Sequence, residues 1–482
     1  MQLHRHLQNL YYRVRIADGI GSDLNCGRAL HGDGRLFLLA EKKKMEVKRK
    51  SLIQLFVPIA LETFFFMLTG MIDTLMLSSV SDAAVGAVGT ANTYIGLFII
   101  TFNIISAGMI AVMTQYIGAH REEVAKQAMK LGVMFNASIG LLLSVILIFF
   151  AGAILRAVGV APLLYDYSST YLRIVGGCCF LNALLPVFSS YLRAFGHTRQ
   201  PLYGTISANI VNLVLNAFFL FVMKWGVAGV AIATVVSRLV NLLINVIYSR
   251  RLIKNIEKHS DIKNRVLFAK IIRIGLPAAF ELALYNVAMT LTIRFLNQMD
   301  ANGVNVTARA YAVQIANFSY CVGAALAQAN AIMTGWFVGA REFDECDRQT
   351  QKSAITGIII AATLEALFAL FGNQIMTLFS SDPEMISVVR MLLTIDIVLE
   401  MGRVGNLVFG QALKTSGDAI FPTIIGAIFM YICMVFGTYI FGIRMGMMVV
   451  GAYIAMASDE CIRAILMFIR WKSGKWRGKS LV

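Results

Sequence analysis

With 482 residues, 58% of them hydrophobic and only 15% charged, the chain falls far below the roughly 25% charge of an average soluble domain, and its mean hydropathy of +0.70 excludes a soluble fold. The formal net charge of +16 would suit nucleic acid only on a folded basic surface, and the Lys and Arg residues gather instead in short segments between apolar stretches. Of the seven cysteines, Cys178, Cys179, Cys321, Cys433 and Cys461 sit inside those stretches, which suits small buried hydrophobes rather than secreted disulfides, and no zinc or iron–sulfur spacing is present.

Residues 1–44 are polar, contain Gly19, Gly21, Gly27, Gly32 and Gly34, and lack the basic start, apolar run and cleavage site of a signal peptide. They read as a dispensable leader or a short cytoplasmic tail. Twelve spans follow, near 52–77, 86–115, 125–152, 164–192, 200–222, 227–249, 268–297, 306–338, 350–378, 388–412, 420–441 and 446–470, each able to supply the roughly 20 residues that cross a bilayer.

An ionisable side chain in hydrocarbon is costly unless it faces protein or water, so each one is a candidate for function. Span 1 holds Glu62 and Asp73, close to three turns apart, which puts them on nearly one face but about 16 Å apart along the axis. They cannot share one coordination site. A carboxylate such as Asp73 in a partly dry cavity can take up a proton or neutralise a cation. Span 5 carries Asn209, Asn212 and Asn216 at spacings of three and four. Their amide oxygens can help to hold a hard cation, with Thr234 of span 6, or can simply join helices. Span 7 places Glu281 one turn beyond Pro277, and span 9 contains Glu365 with no partner evident in its neighbours. Span 10 contains Asp396, Glu400, Arg403 and Asn406, of which Glu400 and Arg403 are one turn apart and can neutralise each other. In span 12, Asp459, Glu460 and Arg463 share a face, and Arg238 of span 6 stands 222 residues before Glu460. These read as a charge network that holds helices.

The chain also repeats itself. YLRAFGHTRQP at 191–201 returns as ALKTSGDAIFP at 412–422, and YIGAHR, ending at Arg121, as FVGARE, ending at Glu342. Pro58 and Glu62 return as Pro277 and Glu281, and Gly229 returns as Gly451. Four matches in one order, 219–222 residues apart, mark two homologous halves, drawn at 45–257 and 258–482. Six helices per half give both halves the same orientation and a pseudo-twofold axis along the membrane normal, as in transporters that alternate access; no filter-like loop supports a channel. Six Lys or Arg between Lys42 and Lys50 and eight between Arg250 and Arg273 lie on the side of the termini, so the positive-inside rule places both termini in the cytoplasm.

The run PIALETFFFMLTGMIDTLMLSSVSDAAVGAVG in span 1, with GVAGVAIATVVSR, LEMGRVGNLVFGQALKTSGDAIFP and GAYIAMASDECIRA, resembles segments of the multidrug and toxic compound extrusion family over about residues 45–476. The resemblance implies an all-α polytopic membrane protein, with twelve transmembrane helices in two pseudo-symmetric six-helix bundles around a central cavity. It implies an antiporter that exports organic, chiefly cationic compounds in exchange for H+ or Na+, with no enzymatic activity and no cofactor besides that coupling ion. Asp73 falls on the family's helix 1 aspartate, Asn212 on its helix 5 asparagine and Thr234 on its helix 6 threonine, which implies a site for a proton or Na+. Asn216 stands where an acidic residue is often found, and losing that charge favours the proton. Glu281 and Glu400, the latter with Arg403 and Asn406, depart in spacing from the second-lobe acids of relatives and are candidates for coupling or substrate contact; Glu62 and Glu365 are further candidates. The implied partners are small organic compounds and the lipid bilayer, without nucleic acid, and the chain reads as a monomer in the cytoplasmic (inner) membrane. Two alternatives stand beside this reading: a lipid-linked saccharide flippase of the same superfamily, which should line its cavity with more Arg and Lys, and a non-transporting receptor or scaffold.

Overall fold

A segment that crosses hydrocarbon must satisfy its own backbone N–H and C=O groups, which leaves the helix as the solution for single spans. The computed structural model describes residues 50–482 apart from 158, 255, 257–259, 300–302 and 378, and contains no strand among the described residues. The expected leader lies outside them. The helices are α1 (Leu52–Ser78), α2 (Asp82–Gly118), α3 (Glu122–Ala157), α4 (Pro162–Gly177), α5 (Cys179–Ala194), α6 (Arg199–Ala217) and α7 (Gly226–Ile253). The second half contributes α8 (Asn264–Met299), α9 (Val304–Gly339), α10 (Phe343–Leu370), the short α11 (Gly372–Met376), α12 (Pro383–Thr415), α13 (Ile420–Phe429) and α14 (Met448–Lys472). Eight of the spans are apolar enough to cross a membrane on composition alone, and α4 with α5 forms one more, bent by 44°. The passes made by α8, α12 and α14 bring the total to twelve. Among them, α12 carries Asp396, Glu400 and Arg403, and α14 carries Asp459, Glu460 and Arg463.

Local chemistry sets the ends and breaks. Ser51 and Gln54 cap α1 reciprocally, each side chain accepting from the other's backbone N–H. The expected single helix at 164–192 is broken at Cys178, after Gly176 and Gly177. A Cβ on either glycine would come within 2.9 Å of side-chain atoms of Leu147 or Ile148, so α3 approaches closely where helix propensity is weakest. Side chains of α3 hold the second part of this bent span: Ser144 Oγ accepts from Phe180 N, a donor freed by the break, at 3.2 Å, and Asn136 Nδ2 donates to the Ala183 carbonyl at 2.8 Å. Widened π-helical turns continue α6 through Phe218–Val222 and α13 through Met430–Phe436 and Thr438–Arg444, so the eleventh span ends at Arg444 rather than near 441.

The repeat is present in the backbone as well as in the letters. Left-handed residues recur at intervals of 221 or 222: His120 with Arg341, Gly196 with Gly417, Lys224 with Gly446, and Gly226 with Met448. A Cβ on Gly229 would meet Phe219 Cβ at 2.6 Å, and one on Gly451 would meet the Phe441 carbonyl carbon at 2.6 Å. Each half has its own apolar core, one built around residues such as Ile95, Phe102 and Leu147 and the other around Leu392, Leu399 and Met430. Gly451→Val is therefore expected to push α14 from the end of α13 and to lower stability by about 1–3 kcal/mol, the usual cost of overpacking, read as a lower midpoint of thermal unfolding in detergent.

The halves meet through α2 against α8 and α9, and α1 against α9. Glycine makes the contact backbone to backbone: a Cβ on Gly108 would lie 2.0 Å from Ile271 O, on Gly275 1.8 Å from Ile104 O, and on Gly339 1.9 Å from Gln115 O. This seam leads to the end of the molecule that carries the basic loops. There Trp336 Nε1 donates to Ala194 O at 2.9 Å, Gln115 donates to Thr415 O, and Leu481 N donates to Gln115 Oε1 at 2.7 Å. Lys270 and the Tyr116 hydroxyl both donate to Leu481 O. Among the described residues no hydrogen bond joins the halves beyond Met71 and Gln314, and Gly70, Gly89 and Gly96 face open space.

His197, in the loop between α5 and α6 at this sealed end, has its imidazole held below the usual range by burial and by the neighbouring Lys50. The native protein thus binds fewer protons here than the unfolded chain, so its stability falls as pH drops through the unfolded value of about 6.5. His197→Gln is expected to flatten the loss of thermal stability between about pH 7.5 and 5.5.

Candidate functional site

Asp73 on α1 meets α6. Its Oδ1 accepts from Asn216 Nδ2 at 2.7 Å, and the same amide nitrogen lies 3.2 Å from Asn212 Oδ1. Asn212 and Asn216 are 1% and 0% exposed, and Asn212 Nδ2 and Asn216 Oδ1 are buried without a partner. Buried polar atoms are nearly always paired, so an unpaired amide oxygen beside a carboxylate is a place for a donor or a cation. The third asparagine of the stripe does something else: Asn209 donates to Phe65 O at 2.6 Å and accepts from Thr69 Oγ1, clasping α6 to α1. Thr234 donates to Val230 O at 2.9 Å. Among the described residues it makes no hydrogen bond to Asp73; Tyr171 lies beside Thr234 and Asn92 and feels the charge of Asp73.

Tyr171 and Asn92 were not among the residues that sequence pattern pointed to, and Arg238 was read with the charge network of the second half. Arg238 lies close to Asp73, in the opposite half from the Asp459–Glu460–Arg463 cluster whose repeat position it shares. The repeat interval did single out Arg238, but with the second-half network rather than with Asp73, and a tyrosine in apolar sequence carries no signal that separates it from packing.

The second half holds a denser network. Arg403 donates to Glu400 and, from Nε at 3.4 Å, to Glu460. Arg463 donates to Asp459 at 2.8 Å and to Glu460 at 3.1 Å, and Asn406 Nδ2 donates to Glu460 Oε2 at 2.9 Å. Glu460 is thus the hub, and it joins α12 to α14. Glu365 of α10 is 0% exposed with both carboxylate oxygens unpartnered, and one oxygen each of Asp396, Glu400 and Asp459 is unpartnered as well.

Two ion pairs repeat across the halves. Arg193 donates to Glu62 at 2.7 Å and Lys414 to Glu281 at 2.8 Å, so the Pro–Glu motif of one helix is answered in each half by the basic residue of the repeated loop. Sequence showed both parts of each pair but not their contact. All four groups are largely buried. Glu281→Gln should therefore leave Lys414 short of a partner and cost about 1–3 kcal/mol, and the reciprocal exchange Glu281→Lys with Lys414→Glu should restore the thermal midpoint.

Between the halves lies a cavity of about 730 Å³, lined from one side by α2 and α5 and from the other by α8, α9, α12, α13 and α14. Glu281, Asp396, Arg403, Asn406 and Glu460 reach its wall; Asp73, Glu400 and Glu365 do not. Tyr285, Tyr320, Tyr453, Met289 and Met456 add aromatic and soft apolar surface, which suits ligands of varied shape.

A twelve-helix membrane transporter of two lobes around one cavity is the class that this architecture defines. The MatE family profile matches residues 58–218 and 277–440, one copy in each half, and the chain belongs to this family of multidrug efflux transporters. It is 32% identical over 445 residues to the uncharacterized transporter YisQ of Bacillus subtilis (strain 168), covering 91% of this chain and 97% of that one. It is 24% identical to the probable multidrug resistance protein NorM of Thermotoga maritima, covering 92% and 96%. Among solved structures, an outward-facing multidrug resistance MATE family transporter of the MOP superfamily superposes with a TM-score of 0.81 at 18% identity, over 89% of this chain and 97% of that one. A Pyrococcus furiosus MOP superfamily transporter, described as having a binding pocket of reverse polarity, gives 0.80 at 18% identity, over 89% and 97%.

Proposed function

We propose that this protein is a secondary active exporter: an organic compound occupies the central cavity and leaves in exchange for H+ or Na+ bound at Asp73. The observation that carries the reading is a cavity between two repeated lobes, whose hydrogen bonds to each other among the described residues gather at the basic end, with a carboxylate–amide site inside one lobe and off the cavity wall. Exchange requires that the loaded ion and the loaded compound favour opposite lobe arrangements. Asp73 supplies the charge that an ion cancels, and Asn216 and Asn212 supply amide oxygens. The absence of a second carboxylate at position 216 favours the proton over Na+. In the membrane we assign the sealed, basic end to the cytoplasm, with both termini there, in the cytoplasmic (inner) membrane and as a monomer.

A compound with a cationic centre and an aromatic body suits the carboxylate of Asp396, one of whose oxygens has no partner, and the cavity tyrosines. The lining has five basic side chains, Arg193, Arg309, Arg403, Lys414 and Arg463, against Glu281, Asp396 and Glu460. Four of the five are ion-paired, so they do not form the open basic wall that a lipid-linked saccharide would need. Counterflow in proteoliposomes tests transport itself. A labelled organic cation outside should accumulate transiently against unlabelled compound inside; binding without such exchange would leave a receptor or scaffold.

A further inference from the structure

Arg309, in the second turn of α9, is the lining cation without a carboxylate partner among the described residues. Its one polar contact is from Nη2 to the Met289 thioether sulfur at 2.9 Å, a weak acceptor, and its Nε is buried with no partner. A guanidinium taken from water without an anion is costly and is retained where something supplies the anion. Tyr285 and Tyr453 line the same cavity and feel the charge of Arg309, and neither hydroxyl is engaged in a hydrogen bond among the described residues. The acid on the wall without an ion pair among the described residues, Asp396, is only 2% exposed and feels the charge of Glu365, whereas Arg309 is half-buried and open to the void.

We propose that Arg309 is an anion-receiving subsite of the cavity, so that the favoured compounds are soluble amphiphiles with a carboxylate, sulfonate or phosphate group besides an aromatic, cationic body. The proposal rests on the export reading and narrows its substrate class. A guanidinium presents two parallel N–H donors to such a group, and Tyr285 and Tyr453 line the same cavity.

A matched pair of xanthene dyes, one with a free carboxylate and one with that carboxylate esterified, differs only in this charge. Binding by fluorescence anisotropy in nanodiscs is expected to favour the acid over the ester about tenfold in the wild type. Arg309→Gln should remove that preference, so that acid and ester bind alike, and Arg309→Lys should keep part of it. Equal wild-type affinity for both dyes, or equal losses for both in Arg309→Gln, overturns the subsite and leaves the export reading intact. Failure to bind or exchange either dye overturns both. Displacement of the acid by phosphatidic acid in the nanodisc would assign the anion to a lipid headgroup and so contradict the soluble amphiphile.

Discussion

Asp73→Asn is expected to abolish uphill transport while leaving substrate binding within about threefold of wild type, because the substitution is nearly isosteric and lies outside the cavity wall. The asparagine oxygen can still accept from Asn216 Nδ2, which reaches Asp73 at 2.7 Å, so the α1–α6 contact survives. It can neither take a proton nor cancel a cation, so ion binding no longer distinguishes the two lobe arrangements and no gradient can drive exchange. Downhill exchange of labelled for unlabelled compound should persist. Undiminished accumulation against a gradient in Asp73→Asn would sink the assignment of coupling to this residue. Asn216→Ala should weaken coupling with a smaller effect, read as a shift in the ion concentration that half-saturates transport.

Arg403→Met carries the largest expected effect on stability. Glu400 is 0% and Glu460 6% exposed, and both lean on this guanidinium. Breaking a buried network from one side costs about 3–5 kcal/mol because the remaining charges stay buried. The thermal midpoint should fall sharply and the yield of folded protein with it. Adding Glu400→Gln to Arg403→Met should recover much of the loss, since Arg463 and Asn406 still hold Glu460. A single variant as stable as wild type would show that the acids of this cluster do not depend on Arg403.

The twelve passes and the two lobes were legible in the sequence because their causes are local: apolar length, charge in the loops, and glycines where the chain turns left-handed or helices touch. The Asp73–Asn216 meeting was half legible. The spacing of Asn212 and Asn216 put both amides on one face of α6, and the family resemblance picked out Asp73, but only tertiary packing brings α1 to α6. The same limit hid the Glu62–Arg193 and Glu281–Lys414 pairs, whose partners are far apart in the chain. It also hid Arg309, an arginine near a helix end that no local pattern separates from a solvated one. Glu365 has no partner evident in its local sequence, and in the fold it is buried with no geometric hydrogen bond to either oxygen among the described residues. The break at Cys178 had its signal in Gly176 and Gly177, which reading for apolar length alone passes over.

The central claim is that a coupling ion, bound in the first lobe, drives an organic compound out through one shared cavity. Its most direct test is accumulation of an organic cation in proteoliposomes of the reconstituted protein, with a pH gradient and a Na+ gradient imposed separately. The account predicts uphill movement under the proton gradient that disappears when the gradient is collapsed and is absent in Asp73→Asn. Accumulation that neither gradient drives, or that a gradient still drives in Asp73→Asn, would contradict it.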